Sequence, residues 1–183
     1  LPIYELNMSD EEIQAIRKIM IVACGSAYHA GVTGKYVFEG MARIPVEVDL
    51  ASEFRYRDPI LEEGTLVIVI SQSGETADSL AALRESKERG AKVLGIVNVV
   101  GSSIAREADN VMYTWAGPEI AVATTKAYSS QLIALYLLAI KFAKAKGNVT
   151  EEQVKMYIED LKRLPEQVEM LLNNKMKIQK WLW

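Results

Sequence analysis

The stretch Val67-Ile68-Val69-Ile70-Ser71-Gln72-Ser73-Gly74-Glu75-Thr76 decides the fold. A β-branched apolar run ends abruptly in hydroxyls, an amide and a glycine. A helix-like pattern follows, with Leu80 and Leu83 on its apolar side and a charged surface run from Arg84 to Arg89. This reads as a buried strand, a tight loop and a helix N-terminus. The first turn of a helix carries amide N–H groups with no intrahelical partner, and the macrodipole adds partial positive charge there. Ser71, Ser73 and Thr76 can donate from the loop, and Gly74 lets the backbone approach closely. Such a loop can cradle a phosphate without a lysine or a metal. The competing reading is that these residues only turn the chain and cap the helix. Glu75 sets a condition, because a carboxylate facing the anion would repel it; its side chain has to point away.

The flanking sequence repeats the same strand–helix unit. Ile19 to Ala23 reads as a first strand that ends at Cys24-Gly25-Ser26, and residues 27–42 read as a helix. Gly31 and Gly34 inside that helix imply close packing against a neighbour, at some cost in helix propensity. Pro45 to Leu50 is a second strand, Leu66 to Ile70 the third, Lys92 to Asn98 the fourth and Asn110 to Trp115 a weaker fifth. The segment Ala51 to Arg57 is mixed, and Asp58-Pro59 breaks it. Helices are expected over 76–89, for one turn at Ser102 to Arg106, and from Thr124 to Lys146. Ser9 and Glu12, and Thr150 and Gln153, are spaced as capping boxes. The first opens a short helix after a loose Leu1–Asn7. The second opens a helix to about Lys177, with Pro165 expected to break or kink it. Strands that are continuous apolar runs alternating with helices define an α/β fold, a parallel sheet covered on both faces.

Ligands of such sheets sit beyond the carboxyl ends of the strands, where the strand order switches. Three segments gather there: Cys24-Gly25-Ser26-Ala27, Ser71 to Thr76, and Val122-Ala123-Thr124-Thr125-Lys126. Each combines small residues, hydroxyls and a helix N-terminus, which suits a polyol or a phosphate; alternatively each only caps its own helix. The spacing G-x-G-x-x-G is absent, and so is a Walker A motif, which disfavours a nucleotide cofactor. Cys24 as a nucleophile would need a base, and the sole histidine, His29, lies on the next helix with no orienting acid; a pocket-lining thiol is the simpler reading. Lys126 either pairs with an acid or faces an anion. Glu53, Arg55 and Arg57 form a charged cluster, by default a solvated face and alternatively an ion-pair network at a subunit contact.

The totals narrow the function classes. The chain has 183 residues, half of them hydrophobic and a quarter charged, with a formal net charge of −3. Nucleic-acid binding has no electrostatic support. One Cys and one His argue against a classical zinc site, and a single Cys rules out an intramolecular disulfide, which fits a reducing compartment. The apolar run near 132–140 is too short for a membrane span.

Ser71-Gln72-Ser73-Gly74-Glu75-Thr76, together with Ala51-Ser52-Glu53-Phe54-Arg55-Tyr56-Arg57, closely resembles the sugar isomerase (SIS) domain family. Ala23-Cys24-Gly25-Ser26, Gly101-Ser102-Ser103 and Val122-Ala123-Thr124-Thr125-Lys126-Ala127 follow in matching order, from about Ile19 to Lys177. Within the family, the match is to the first SIS domain of the glutamine-dependent aminotransferases that make glucosamine 6-phosphate. The resemblance implies a flavodoxin-like five-stranded parallel sheet, a three-layer sandwich. It implies fructose 6-phosphate or glucosamine 6-phosphate as ligand, no cofactor, no metal, a homodimer and a cytoplasmic setting. By position, Ser71, Gln72, Ser73 and Thr76 would hold the phosphate. Cys24, Gly25 and Ser26 would line the sugar pocket, with Val122 and Thr124 on its other side. The expected organisation is an extension and helix over 1–18, a sugar-phosphate-binding domain over 19–147, and a helix over 148–183 leading toward a second SIS domain. That second domain and a glutaminase domain would belong to the parent enzyme. Their catalytic motifs have no match here, so the chain alone is expected to bind the sugar phosphate without completing catalysis. A stand-alone isomerase and a non-enzymatic sugar-phosphate sensor are the other readings. The C-terminal helix carries an apolar face of Val154, Ile158, Leu161, Leu164, Val168 and Leu172, suited to association.

Overall fold

The computed structural model describes residues 6–173. The short helix α1 (Asp10–Ala15) opens on a complete capping box: the Glu12 amide donates to Ser9 Oγ at 3.2 Å, and the Ser9 amide donates to Glu12 Oε2 at 2.9 Å. Five strands follow in alternation with helices: β1 (Lys18–Ala23), α2 (Gly25–Met41), β2 (Val46–Leu50), α3 (Ala51–Tyr56), β3 (Thr65–Ser71), α4 (Ala77–Glu88), β4 (Lys92–Val97), α5 (Ser103–Glu107), β5 (Asn110–Tyr113), then α6 (Lys126–Ala145) and α7 (Glu151–Asn173). The mixed segment after β2 is therefore a helix. Ala51 and Phe54, three apart, are its buried residues and face the core together.

All strand pairs are parallel, in the order β2-β1-β3-β4-β5. β1 and β3 are central and almost wholly buried, which explains why they read as unbroken apolar runs. Side chains alternate between two layers. Met20, Val22, Val67, Val69, Val93 and Val97 join Phe54, Leu83 and Ile104 on one face. On the other face, α2 packs against α6, with the Phe38 and Phe142 rings edge-on at 5.6 Å. Two of the glycines of α2 permit close approach, Gly31 to the sheet and Gly34 to α6. A Cβ on Gly31 would stand 2.8 Å from Ile21 Cγ2, and one on Gly34 would stand 3.1 Å from both Leu135 methyls.

The chain divides into two compact units, Leu1–Asn148 and Val149–Trp183. In the first, α1 is clasped to the far end of α6. Lys146 Nζ donates to the carbonyls of Gln14 and Ile16 at 2.8 and 2.6 Å, Gln14 Nε2 donates to Ala145 O at 3.0 Å, and Lys141 Nζ donates to Leu6 O at 3.3 Å. Burial lowers the pKa of both lysines. In the second, the Gln153 amide donates to Thr150 Oγ1 and the Thr150 amide to Gln153 Oε1. The helix then runs through Pro165 without ending, so the expected break does not occur. None of its residues is buried. The looseness expected of Leu1–Glu5, the helix expected over 174–177 and the terminal Trp181 and Trp183 lie outside the described residues.

Candidate functional site

The strand order turns over between β1 and β3. The chain leaves β1 toward β2 on one side and leaves β3 toward β4 on the other. The two connecting loops diverge and open a crevice at the carboxyl edge of the sheet. Its cavity has a volume of about 340 Å³. All nine residues expected of the site line it: Cys24, Gly25 and Ser26 from the first loop, Ser71, Gln72, Ser73 and Thr76 from the second, and Val122 and Thr124 from the loop before α6. Three further residues complete the wall. Ala27 and Ile70 are continuations of the same segments. Gln131, buried on α6, is the one that sequence reasoning missed; its only signal is a polar residue on the helix side that also carries Ala127, Ala134 and Leu138.

The helix ends around this crevice differ in one respect. α5 and α6 receive the carboxylates of Glu75 and Glu119. α3 and, flanking the switch point, α2 and α4 have no side-chain cap. The first-turn amides and dipoles of α2 and α4 point toward the edge where the cavity lies. Gly25 sits at φ +58° with open space where a Cβ would stand.

The Ser71–Thr76 loop holds its own shape. Gly74 N donates to Ser71 Oγ at 3.0 Å, Glu75 N donates to Ser73 Oγ at 3.2 Å, and the Ser71 and Thr76 hydroxyls lie 3.1 Å apart. From behind, Asn98 N donates to Gln72 O at 3.1 Å and Ile104 N to Gly74 O at 3.0 Å. Gly74 is at φ +67°, pressed against Ser102. Glu75 points away from the loop's mouth and accepts from Ser103 N at 2.7 Å. The hydrogen bonds from Ser103 hold its carboxyl below the usual glutamate value, with Arg106 adding to the effect. The condition set by the sequence is met.

The third segment differs from the expectation. The α6 N-terminus is not open to an anion, because Glu119 Oε2 accepts from Thr125 N at 3.1 Å and Ala127 N at 3.0 Å. Lys126 lies close enough for its charge to help depress the Glu119 pKa. Ser26 Oγ donates to Ala123 O at 3.3 Å and ties the first segment to the third. Cys24 is half-buried, 4.0 Å from Ser79 Oγ, and no base stands beside it. His29 is exposed, edge-on to Tyr28. Arg55 pairs with Asp78 and Arg57 with Asp49, and Glu53, Arg55 and Arg57 all lie on the exposed surface. Among the described residues, no group of three His, Cys, Asp or Glu is placed to hold a metal ion, and no helix is long and apolar enough to cross a membrane.

A larger cleft of about 760 Å³ opens at the amino ends of the strands. Four of its polar side chains bond to backbone: Lys146 to Gln14 and Ile16, Asn148 to Ala42, Arg43 to Glu39 and Gln14 to Ala145. They complete helix C-termini.

Fold and cavity together define a doubly wound α/β domain with a polar crevice at its switch point. The chain belongs to the SIS domain family, whose model matches residues 12–141. It is 63% identical over 176 residues to a protein of Caldanaerobacter subterraneus named glutamine–fructose-6-phosphate aminotransferase [isomerizing]; the match covers 96% of this chain and 29% of that protein. The chain thus spans under a third of the length of such relatives. The C-terminal domain of glucosamine-fructose-6-phosphate aminotransferase from Francisella tularensis superposes with a TM-score of 0.90 at 42% identity, covering 95% of this chain and 49% of that one. A glucosamine-6-phosphate deaminase from Thermotoga maritima superposes at 0.66 with 32% identity, covering 77% of this chain and 43% of that one.

Proposed function

We propose that this chain is the sugar-phosphate-binding half of the isomerase module of a glutamine–fructose-6-phosphate aminotransferase, and that its ligand is fructose 6-phosphate or glucosamine 6-phosphate. The observation that carries this is the convergence of the uncapped N-termini of α2 and α4 on one 340 Å³ cavity lined by hydroxyls. Relatives and structural neighbours named for amino-sugar phosphates support the same ligand class.

In this reading the phosphate lies against Ser71, Gln72, Ser73 and Thr76. Its oxygens accept from the first-turn amides of α4 and from the side chains, as anions do at helix N-termini. Glu75 is turned to α5, so it does not oppose the charge. Cys24, Gly25 and Ser26 line the sugar, and Val122 and Thr124 close its far side. The chain binds and orients the substrate. A positioned general base for carbon chemistry is not among these residues, so proton transfer falls to a second SIS domain of the parent protein. A glutaminase domain, dimerisation through the SIS domain and a cytoplasmic setting belong to the same proposal.

The test is calorimetric titration of the chain with fructose 6-phosphate, glucosamine 6-phosphate and unphosphorylated fructose. Thr76→Val keeps the side-chain shape and removes one hydroxyl. Saturable binding of the phosphates, absent for fructose and weakened about tenfold in the variant, is expected from loss of a charge-assisted hydrogen bond. Equal binding of fructose and its phosphate would overturn the assignment.

A further inference from the structure

The loop from Thr114 to Thr125 supplies Val122 and Thr124 to one side of the cavity yet has no regular secondary structure. Burial does not hold it. Ile120 and Val122 are almost fully exposed, at 92% and 103%. Thr124 sits at φ +57°, a conformation that β-branched residues disfavour. Its Oγ1 is buried with no hydrogen-bond partner among the described residues. A loop with so little apolar anchorage and a strained residue at its tip needs another restraint.

Besides Ser26, which donates to Ala123 O, two polar side chains provide it. Asn98, at the end of β4, fixes the near end: its Oδ1 accepts from Ala116 N at 2.8 Å and Thr114 Oγ1 at 3.1 Å, and its Nδ2 donates to Gly117 O at 2.8 Å. Glu119 fixes the far end. One oxygen accepts from Ala121 N at 3.1 Å, and the other accepts from Thr125 N and Ala127 N at 3.1 and 3.0 Å. These bonds bracket Val122 and Thr124 on both sides. They also fill the amides at the start of α6, so an anion is left the uncapped α2 and α4 ends, and the Val122–Thr124 end suits the neutral part of a ligand.

Resting on the sugar-phosphate reading, we propose that Glu119 is a positioning residue for the sugar end of the cavity: its carboxylate, bound to the amides of Ala121, Thr125 and Ala127, holds Val122 and Thr124 where they meet the sugar. It acts through the loop and does not touch the phosphate cradle. Removing it should therefore separate two affinities that a general loss of structure would lower together.

The experiment titrates wild type, Glu119→Gln and Glu119→Asp with fructose 6-phosphate and with inorganic phosphate. Amide hydrogen exchange is followed at Ala121, Thr125 and Ala127. Glu119→Gln replaces one acceptor oxygen with a donor; Glu119→Asp keeps the charge but is one methylene short of the amides. Both should weaken fructose 6-phosphate about fivefold to tenfold, the worth of roughly one hydrogen bond. Inorganic phosphate should hold within about twofold. Exchange should quicken at the three amides and stay unchanged over Ser71–Thr76. A folded variant with unchanged fructose 6-phosphate affinity, or a parallel loss of both ligands, overturns the proposal. Wild type that binds neither ligand refutes the sugar-phosphate reading instead, and the positioning claim is then decided by exchange: unchanged protection of the three amides overturns it.

Discussion

Gly74 gives the sharpest test of how the phosphate loop is built. A methyl group there would overlap Ser102 Oγ outright and stand 2.6 Å from Ser102 Cβ and 3.3 Å from Val97 Cγ1. Rotating the serine hydroxyl relieves the first contact only. The Cβ contact forces the loop and α5 apart, against the Ile104 N to Gly74 O hydrogen bond. Overpacking of this kind costs about 1–3 kcal/mol. The left-handed backbone at φ +67° adds roughly 1–2 kcal/mol for any residue with a Cβ. Gly74→Ala should therefore lose about 2–5 kcal/mol. Ser102→Gly alone should be worth only a few tenths, because its hydroxyl has no partner among the described residues and caps nothing. In the double variant the overpacking vanishes and only the backbone term is left. The cycle should then show a favourable coupling of about 1–3 kcal/mol. Urea unfolding by linear extrapolation, with a constant m-value, reads all four corners. A Gly74→Ala chain within about 0.5 kcal/mol of wild type, or coupling below that size, would refute this account of the loop.

Other outcomes follow from the same geometry. Ser71→Ala leaves the buried Gly74 N–H without its acceptor and should lose about 1–3 kcal/mol of stability, whereas Thr76→Val, which loses one hydroxyl pair, should lose under about 1; equal urea midpoints for the two would contradict this. Gly31→Ala should destabilise by about 1 kcal/mol or more, overpacking outweighing the gain in helix propensity. Gly34→Ala meets the Leu135 methyls at 3.1 Å and Ile21 Cδ1 at 3.5 Å, so Leu135 has to give slightly; the gain in helix propensity offsets this, and the variant should stay within about 0.5 kcal/mol of wild type by thermal melting. The carboxyls of Glu12, Glu75, Glu107 and Glu119 are all held below the ordinary value of 4.5. Their stabilisation is complete above the unfolded-state value and is lost as pH falls through the lowered folded values. Urea midpoints between pH 7 and pH 3 should fall on the acid side, less steeply in Glu75→Gln; an unchanged slope in that variant would count against the Glu75–Ser103 bond.

The sheet was legible because β1, β3 and β4 are covered on both faces and need no alternation to be seen. The phosphate loop was legible because its chemistry is local: strand, hydroxyls, glycine and helix lie within ten consecutive residues. α3 was not, since six residues with two buried positions give no periodicity to detect. The roles of Asn98 and Glu119 were hidden for a different reason. Each side chain bonds to backbone up to 19 residues away, and backbone amides leave no mark on a sequence. Gln131 was hidden because it lies seven positions beyond Thr124 and inside the next helix, so only packing shows that both reach one cavity.

The clasp between α1 and the end of α6 has a consequence in time. Its bonds join positions 130 to 135 residues apart. A six-residue helix is too short to persist alone. At a synthesis rate of about 5–20 residues per second, the partner carbonyls of Gln14 and Ile16 wait roughly 7–26 s for Lys146 to be made. Through that interval Leu6, Met8, Ile13 and Ile16, all buried in the finished fold, lack the α6 surface on which α1 rests. The α1 segment is thus made long before it is sealed, and a nascent chain stalled before α6 would offer this apolar segment to chaperones and proteases.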